Sequence, residues 1–126
     1  MRGLLDTSVL IGQEQGRPIG TLPDESAISV VTLAELQIGV LLADASRTRA
    51  QRMHSLVEVQ RTFDALPVDH EVARHFATIV ADARQRGRKA KIMDAWIAAT
   101  AVRNDLAVYT QDSDFDDLAD VQVVRV

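Results

Sequence analysis

The 126-residue chain contains no cysteine, which excludes a disulfide framework and thiolate metal ligation and fits a reducing cytoplasm. Aromatic residues make up only 4%, too few for a protein that grips nucleic acid by stacking bases on aromatic platforms. The three histidines, His54, His70 and His75, lack metal-ligand spacing: the nearest pair is five apart, on different faces of a helix. They read as surface or packing residues. No stretch approaches 18 uninterrupted apolar residues, so no membrane contact is expected. Asp6 interrupts the first apolar run before it can form the core of a signal peptide. A P-loop, a GxGxxG and a GxSxG are also missing. The net charge of −4 argues against broad electrostatic attraction to nucleic acid.

What is present is an ordinary globular balance, 47% hydrophobic and 25% charged, in a length suited to one domain over 1–126 with its own core. Charge is uneven along it. Arg84, Arg86, Arg88, Lys89 and Lys91 form a basic run, and 112–120 holds five aspartates.

Hydrophobic periodicity predicts a strand over Gly3–Leu5 that stops at Asp6, with a helical turn from Thr7 and Ser8 through Ile11. A Gly- and Pro-containing loop covers 13–25. Ala27–Val31 reads as a short strand, or else as the lead-in to the helix at Thr32–Ala43. The next helix, Ser46–Phe63, points Ala50, Met53, Leu56, Val57 and Phe63 inward and Arg47, Arg49, Arg52 and Arg61 to water. After a brief strand near Ala65–Val68, Asp69 caps a helix at His70–Gln85 that Gly87 ends. Asp94 begins a helix through Arg103. A strand at Leu106–Tyr109, a short helical piece around Phe115–Leu118 and a strand at Val121–Val126 complete the chain. The alternation implies an α/β fold, a mostly parallel sheet with helices on both sides.

Four acids stand out. Asp6 and Asp112 follow strands, where open α/β sheets build their sites, although Asp6 also suits a helix N-cap. Glu35 has Val31, Thr32, Ile38 and Gly39 as helical neighbours and no Lys or Arg at those spacings. Asp94 is followed on its face by Ile97, Ala98 and Ala101, and Ile97 occupies the position where a capping box wants Glu or Gln. If these acids converge, each close pair repels by roughly 4 kcal/mol at an effective dielectric of 20. Either their pKa values rise or a divalent cation sits between them. Oxygen-only donors favour Mg²⁺ or Mn²⁺ over Zn²⁺, and such a centre suits phosphodiester hydrolysis. The basic run Arg84–Lys91 would hold the phosphate backbone, or else is a solvated helix end. An EF-hand is excluded, because a loop starting at Asp112 has Asp117 where Gly is required and Val123 where Glu is.

LLDTSVLI at 4–11, TLAEL at 32–36, MDAWIAATA at 93–101 and YTQDSDF at 109–115 resemble the successive acidic motifs of the PIN domain. They are most similar to those of the single-domain VapC-type toxin ribonucleases of bacterial toxin–antitoxin pairs. The resemblance implies a PIN-like three-layer α/β sandwich and a Mg²⁺- or Mn²⁺-dependent endoribonuclease. It implies that Asp6, Glu35 and Asp94 bind metal, with Asp112 as the fourth acid and Asp114 as its competitor, and that Thr7 and Thr110 orient them. It further implies a cytoplasmic homodimer acting on RNA, with transfer RNA first among the candidates, and silenced by a cognate antitoxin whose tail enters the acidic groove. Two other readings are compatible with an acidic α/β domain. A receiver-like phosphoacceptor would need a lysine after a late strand, and Lys89 and Lys91, the only lysines, follow none. A PIN fold kept as an inactive RNA- or protein-binding module would bind no metal.

Overall fold

The computed structural model describes residues 2–126. Among them, β1 (Arg2–Leu5), α1 (Thr7–Glu14), β2 (Glu25–Ser29), α2 (Val30–Leu41), α3 (Ser46–Thr62), β3 (Ala65–Leu66), α4 (His70–Gln85), α5 (Ile92–Arg103), β4 (Ala107–Thr110) and β5 (Val123–Arg125) follow in order. The strands form one sheet in the order β3-β2-β1-β4-β5, and every pairing is parallel. Leu4 faces Ala27 on one side and Val108 on the other. The chain leaves β1 for β2 on one side and returns to β4 on the other, so a crevice opens beyond the carboxyl ends of β1 and β4.

Strand alternation sorts the core into two layers. Leu4, Ala27 and Val108 point to the face covered by α4 and α5, where they meet Val72, Ile79, Ile97, Ala98 and Phe115. Leu5, Ile28, Ala107 and Tyr109 point to the opposite face and meet Val9 and Leu10 of α1 and Val59 of α3. The alanines of α5 are fully buried and let it lie close on the sheet. Phe76 of α4 stacks on Trp96 of α5 with ring centroids 3.6 Å apart. This is the three-layer arrangement expected.

Local signals set most element ends. Asp69 Oδ1 accepts from Val72 N at 2.9 Å and starts α4. Gly87, at φ +70°, ends it, with Arg88 N donating to Ala83 O and Gly87 N to Arg84 O, the paired bonds of a Schellman turn. Asp105, at φ +54°, plays the same part after α5, and Leu106 N reaches back to Ala101 O.

The structure corrects four expectations. The segment around Phe115–Leu118 forms turns rather than a helix; Asp116 N donates to Ser113 O and Leu118 N to Phe115 O. Aspartates compete with the backbone for hydrogen bonds and favour turns over helix, and buried Phe115 pins the loop instead. On α3, Ala50 and Met53 are exposed and Val59 is buried, because only the C-terminal half of that helix covers the sheet. Arg49 and Arg52 do not simply face water: they donate at 2.7 Å to Ala43 O and Gly39 O, satisfying carbonyls at and just beyond the end of α2 that have no helical partner. Finally, α5 starts at Ile92, so Asp94 lies inside its first turn and does not cap it. No helix of the described residues is long and apolar enough to cross a membrane.

Tyr109 explains the glycine at the second position of β1. On the parallel β1–β4 pair, Gly3 and Tyr109 share a face, and a methyl group at Gly3 would overlap the buried Tyr109 ring and come within 3.0 Å of Pro23. Gly3→Ala is expected to lower stability by about 1–3 kcal/mol, the usual cost of overpacking, as a reduced midpoint with unchanged slope in urea unfolding.

Candidate active site

Asp6 is the first residue beyond β1 and the N-cap of α1, so both predicted roles fall on one side chain. It is 2% exposed. Three donors reach a single oxygen, Oδ2: Ser8 Oγ at 2.7 Å, Thr110 Oγ1 at 2.9 Å and Ser8 N at 3.4 Å. The hydroxyls are themselves oriented, since Gln111 N donates to Ser8 Oγ and Asp112 N to Thr110 Oγ1, each at 3.0 Å. The direction of both chains is therefore fixed: backbone N–H to hydroxyl, hydroxyl to carboxylate. Asp6 Oδ1 takes part in none of these bonds and is not sealed from solvent.

Glu35 is arranged in the same way. Thr7 Oγ1 donates to Glu35 Oε1 at 2.6 Å and lies 3.0 Å from Thr32 Oγ1. Thr32 sits almost one turn before Glu35 on α2 and is fully buried. Each acid thus has one oxygen held by hydroxyls, and its other oxygen makes no hydrogen bond to the described residues.

Asp6, Glu35, Asp94 and Asp112 line one open pocket of about 270 Å³ with Thr7, Ser8, Ile11 and Arg17. Asp114 turns away and pairs with Lys91 Nζ at 3.0 Å. Thr7 and Thr110 hold carboxylates as the resemblance implied. Ser8, Thr32 and Arg17 were missed as site residues. Ser8 and Thr32 look like helix-start residues in the sequence, and Arg17 lies in a segment that reads as plain loop. The basic run is largely engaged with the chain's own acidic loop: Arg86 donates to Asp117 O and pairs with Asp82, Arg88 pairs with Asp117, and Lys91 pairs with Asp114. Arg84 and Lys89 are exposed and form no ion pair with the described residues.

The electrostatics follow from this crowding. Burial, partly offset by the Ser8 and Thr110 hydrogen bonds, raises the Asp6 carboxyl above its ordinary range. Burial, with added repulsion from Asp6 and Asp112, raises Glu35. Asp94 is pushed up to about 7, first by burial and then by the charges of Asp6, Asp114 and Glu35. Among the described residues no three acidic or histidine side chains form a ready-made cation cage. The fit to a hard divalent cation rests instead on the shared pocket, the oxygen-only donors and the repulsion a cation would relieve.

A stability consequence follows for the cation-free protein. An unfolded aspartate titrates near 3.9, so the folded chain binds the Asp94 proton more tightly than the unfolded chain does. The stabilisation this provides is complete below about pH 4 and is lost as pH rises through 7. Thermal unfolding in chelator is therefore expected to show a midpoint that falls between pH 5 and pH 8. In Asp94→Asn that fall should flatten and the pH 8 midpoint should rise by about 3–5 °C, on the order of 1 kcal/mol for a carboxyl still half in solvent.

Comparison with known proteins identifies the family. The PIN domain family model matches residues 3–121. Ribonuclease VapC5 of Mycobacterium tuberculosis is 45% identical over 98% of this chain and 95% of its own length. A crystal structure of a member of the VapBC family of toxin–antitoxin systems, VapBC-5 from Mycobacterium tuberculosis, superposes with a TM-score of 0.87 at 43% identity, covering 99% of this chain and 98% of the other. The FitAcB crystal structure from Neisseria gonorrhoeae superposes at 0.77 with 32% identity, covering 98% of this chain and 96% of that one. The receiver-like alternative falls with these matches, and no lysine lines the pocket to serve it. With its acids gathered at the β1–β4 crevice and its likeness running nearly end to end, the chain belongs to the PIN-domain family, in its VapC ribonuclease branch.

Proposed function

We propose that this chain is an endoribonuclease toxin that hydrolyses RNA phosphodiester bonds with the help of Mg²⁺ or Mn²⁺ held by Asp6, Glu35, Asp94 and Asp112. The observation that carries the reading is the gathering of these four carboxylates in one pocket whose single basic residue, Arg17, pairs with none of them. When bound there, such a cation supplies Lewis acidity for the scissile phosphate and for the water that attacks it.

The side chains divide the remaining work. Ser8 and Thr110 fix Asp6, and Thr7 fixes Glu35, each through one oxygen, which leaves the other oxygen of each acid for the cation. Thr110 also receives Asp112 N–H, so the same hydroxyl that aims Asp6 sets the loop carrying Asp112. Asp94, whose carboxyl is pushed up to about 7 by burial and by the neighbouring acids, would have to release its proton to hold a cation, so cation affinity would rise with pH. Asp114 is committed to Lys91 and is assigned a supporting role in the loop rather than a ligand's.

Relatives named as ribonucleases and solved as toxin–antitoxin systems support an RNA substrate and an antitoxin partner. Transfer RNA is the first substrate to try, an antitoxin protein is the natural silencer, and a homodimer is the working assembly. Arg84 and Lys89 are the members of the basic run still open to the RNA backbone.

Asp6→Asn and Asp94→Asn are each expected to reduce cleavage of bulk transfer RNA in millimolar Mn²⁺ by more than about a hundredfold, beyond the loss typical of outer-shell changes around metal sites, with the fold retained by circular dichroism. Mn²⁺ should raise the thermal midpoint of the wild type and not that of Asp94→Asn. Full cleavage by either folded variant would overturn the mechanism.

A further inference from the structure

The pocket wall holds one cation among its carboxylates, Arg17. Its guanidinium forms no ion pair or hydrogen bond with any described residue, although Asp6, Glu35, Asp94 and Asp112 share the pocket. A mobile exposed arginine next to four acids would ordinarily pair with one of them. Arg17 instead lies across the end of α1. Its N–H donates to Gly12 O at 2.8 Å, one of the carbonyls in the last turn of α1, and its side chain crosses over Gly12, with Nε 3.5 Å from where a Cβ would stand. Gln111 fills the rest of that surface. Its Oε1 lies 2.5 Å from the same Cβ position, and its Nε2 donates to Pro18 O at 3.0 Å. Gly12 is buried, and the absence of a side chain there lets Gln111 tie the 17–18 segment to the end of β4.

We propose that Arg17 binds a phosphate of the RNA backbone beside the scissile bond. This rests on the ribonuclease reading above and extends it to the substrate-binding residue. A carboxylate pocket on a chain of net charge −4 repels the polyanion it must cut, and most of the basic run is neutralised by Asp82, Asp114 and Asp117. An arginine on the pocket wall, kept clear of the acids, supplies a forked donor suited to a phosphate. Cation and guanidinium would then approach the backbone from different sides of the pocket.

The test measures binding of a fluorescein-labelled 12-nucleotide single-stranded RNA to wild type, Arg17→Ala, Arg17→Lys and Gly12→Ala in Ca²⁺ over a salt series, with bulk transfer RNA cleavage in Mn²⁺ alongside. Arg17→Ala should weaken binding about tenfold and reduce the slope of log K against log salt by about 0.7, the value for one phosphate contact on a single strand. It should raise KM more than it lowers kcat and leave the Mn²⁺-induced rise in thermal midpoint intact. Arg17→Lys should recover most of the charge-dependent slope. Gly12→Ala, whose new methyl group displaces Gln111, should bind more weakly while remaining folded. Unchanged affinity and slope in Arg17→Ala, beside a wild type that cleaves, would overturn the role of Arg17 and leave the ribonuclease reading standing. A wild type that neither binds nor cleaves RNA would overturn both.

Discussion

Repulsion among carboxylates is the constraint on which the rest of this structure depends. Four acids at one pocket would spread apart or protonate if their backbones allowed it, and close pairs cost kilocalories each even at a generous dielectric. The fold resists by placing them on rigid elements that cannot retreat. Asp6 is fixed at the end of the central strand, Glu35 within α2, and Asp94 in the first turn of an α5 buried along most of its length. The hydroxyls of Thr7, Ser8 and Thr110 complete the restraint by holding one oxygen of each inner acid. Burial first, and repulsion among the acids after it, raises their pKa values, with Asp94 pushed up to about 7. A domain of this size is stable by only a few times that cost, which is why such a cluster belongs with a cation that offsets it.

Much of the fold was legible because burial on both sides of a parallel sheet leaves plain marks. Val108 and its neighbours form a continuous apolar run, α4 carries a clean stripe from Val72 to Ala83, and Asp69 and Gly87 mark its two ends. The parts that were not legible are those where a tertiary contact overrides a local pattern. Met53 and Ala50 fit an inward stripe on α3, but the sheet ends beneath the other half of the helix. Arg49 and Arg52 look like a solvated face until the carbonyls of Gly39 and Ala43 come within reach. The acidic loop reads as a helix only if Phe115 and Leu118 are taken alone, without the aspartates that favour turns.

The site divides along the same line. Asp6 and Asp112 were conspicuous at the ends of strands, and Glu35 and Asp94 because a carboxylate with apolar neighbours on its helix face is costly. Ser8 and Thr32 were not, because a hydroxyl near a helix start looks like a cap whether or not it also holds a carboxylate. Sequence alone preferred Asp112 as the fourth acid but left Asp114 as a competitor. What separates them is Lys91, three residues before Asp94 and 3.0 Å from Asp114, a pairing that depends on how α5 and the 111–122 connection meet.

That pairing changes how the charge asymmetry of the chain should be understood. A basic run and an aspartate-rich loop far apart in sequence looked like a surface for RNA set against a pocket for metal. Folding brings them into contact, so Arg86, Arg88 and Lys91 are spent largely on Asp82, Asp114 and Asp117. These are exposed pairs, individually worth little to stability. Their larger effect is on the field: with three of its five charges paired, the run loses part of its long-range pull. On the proposed reading, attraction for a polyanion would arise locally, from a cation held by the carboxylates and from the positive groups left unpaired around them. An enzyme built this way is a weak general binder of nucleic acid. On the proposed reading it would discriminate at short range, by whether a backbone can bring one phosphate into the open acidic pocket.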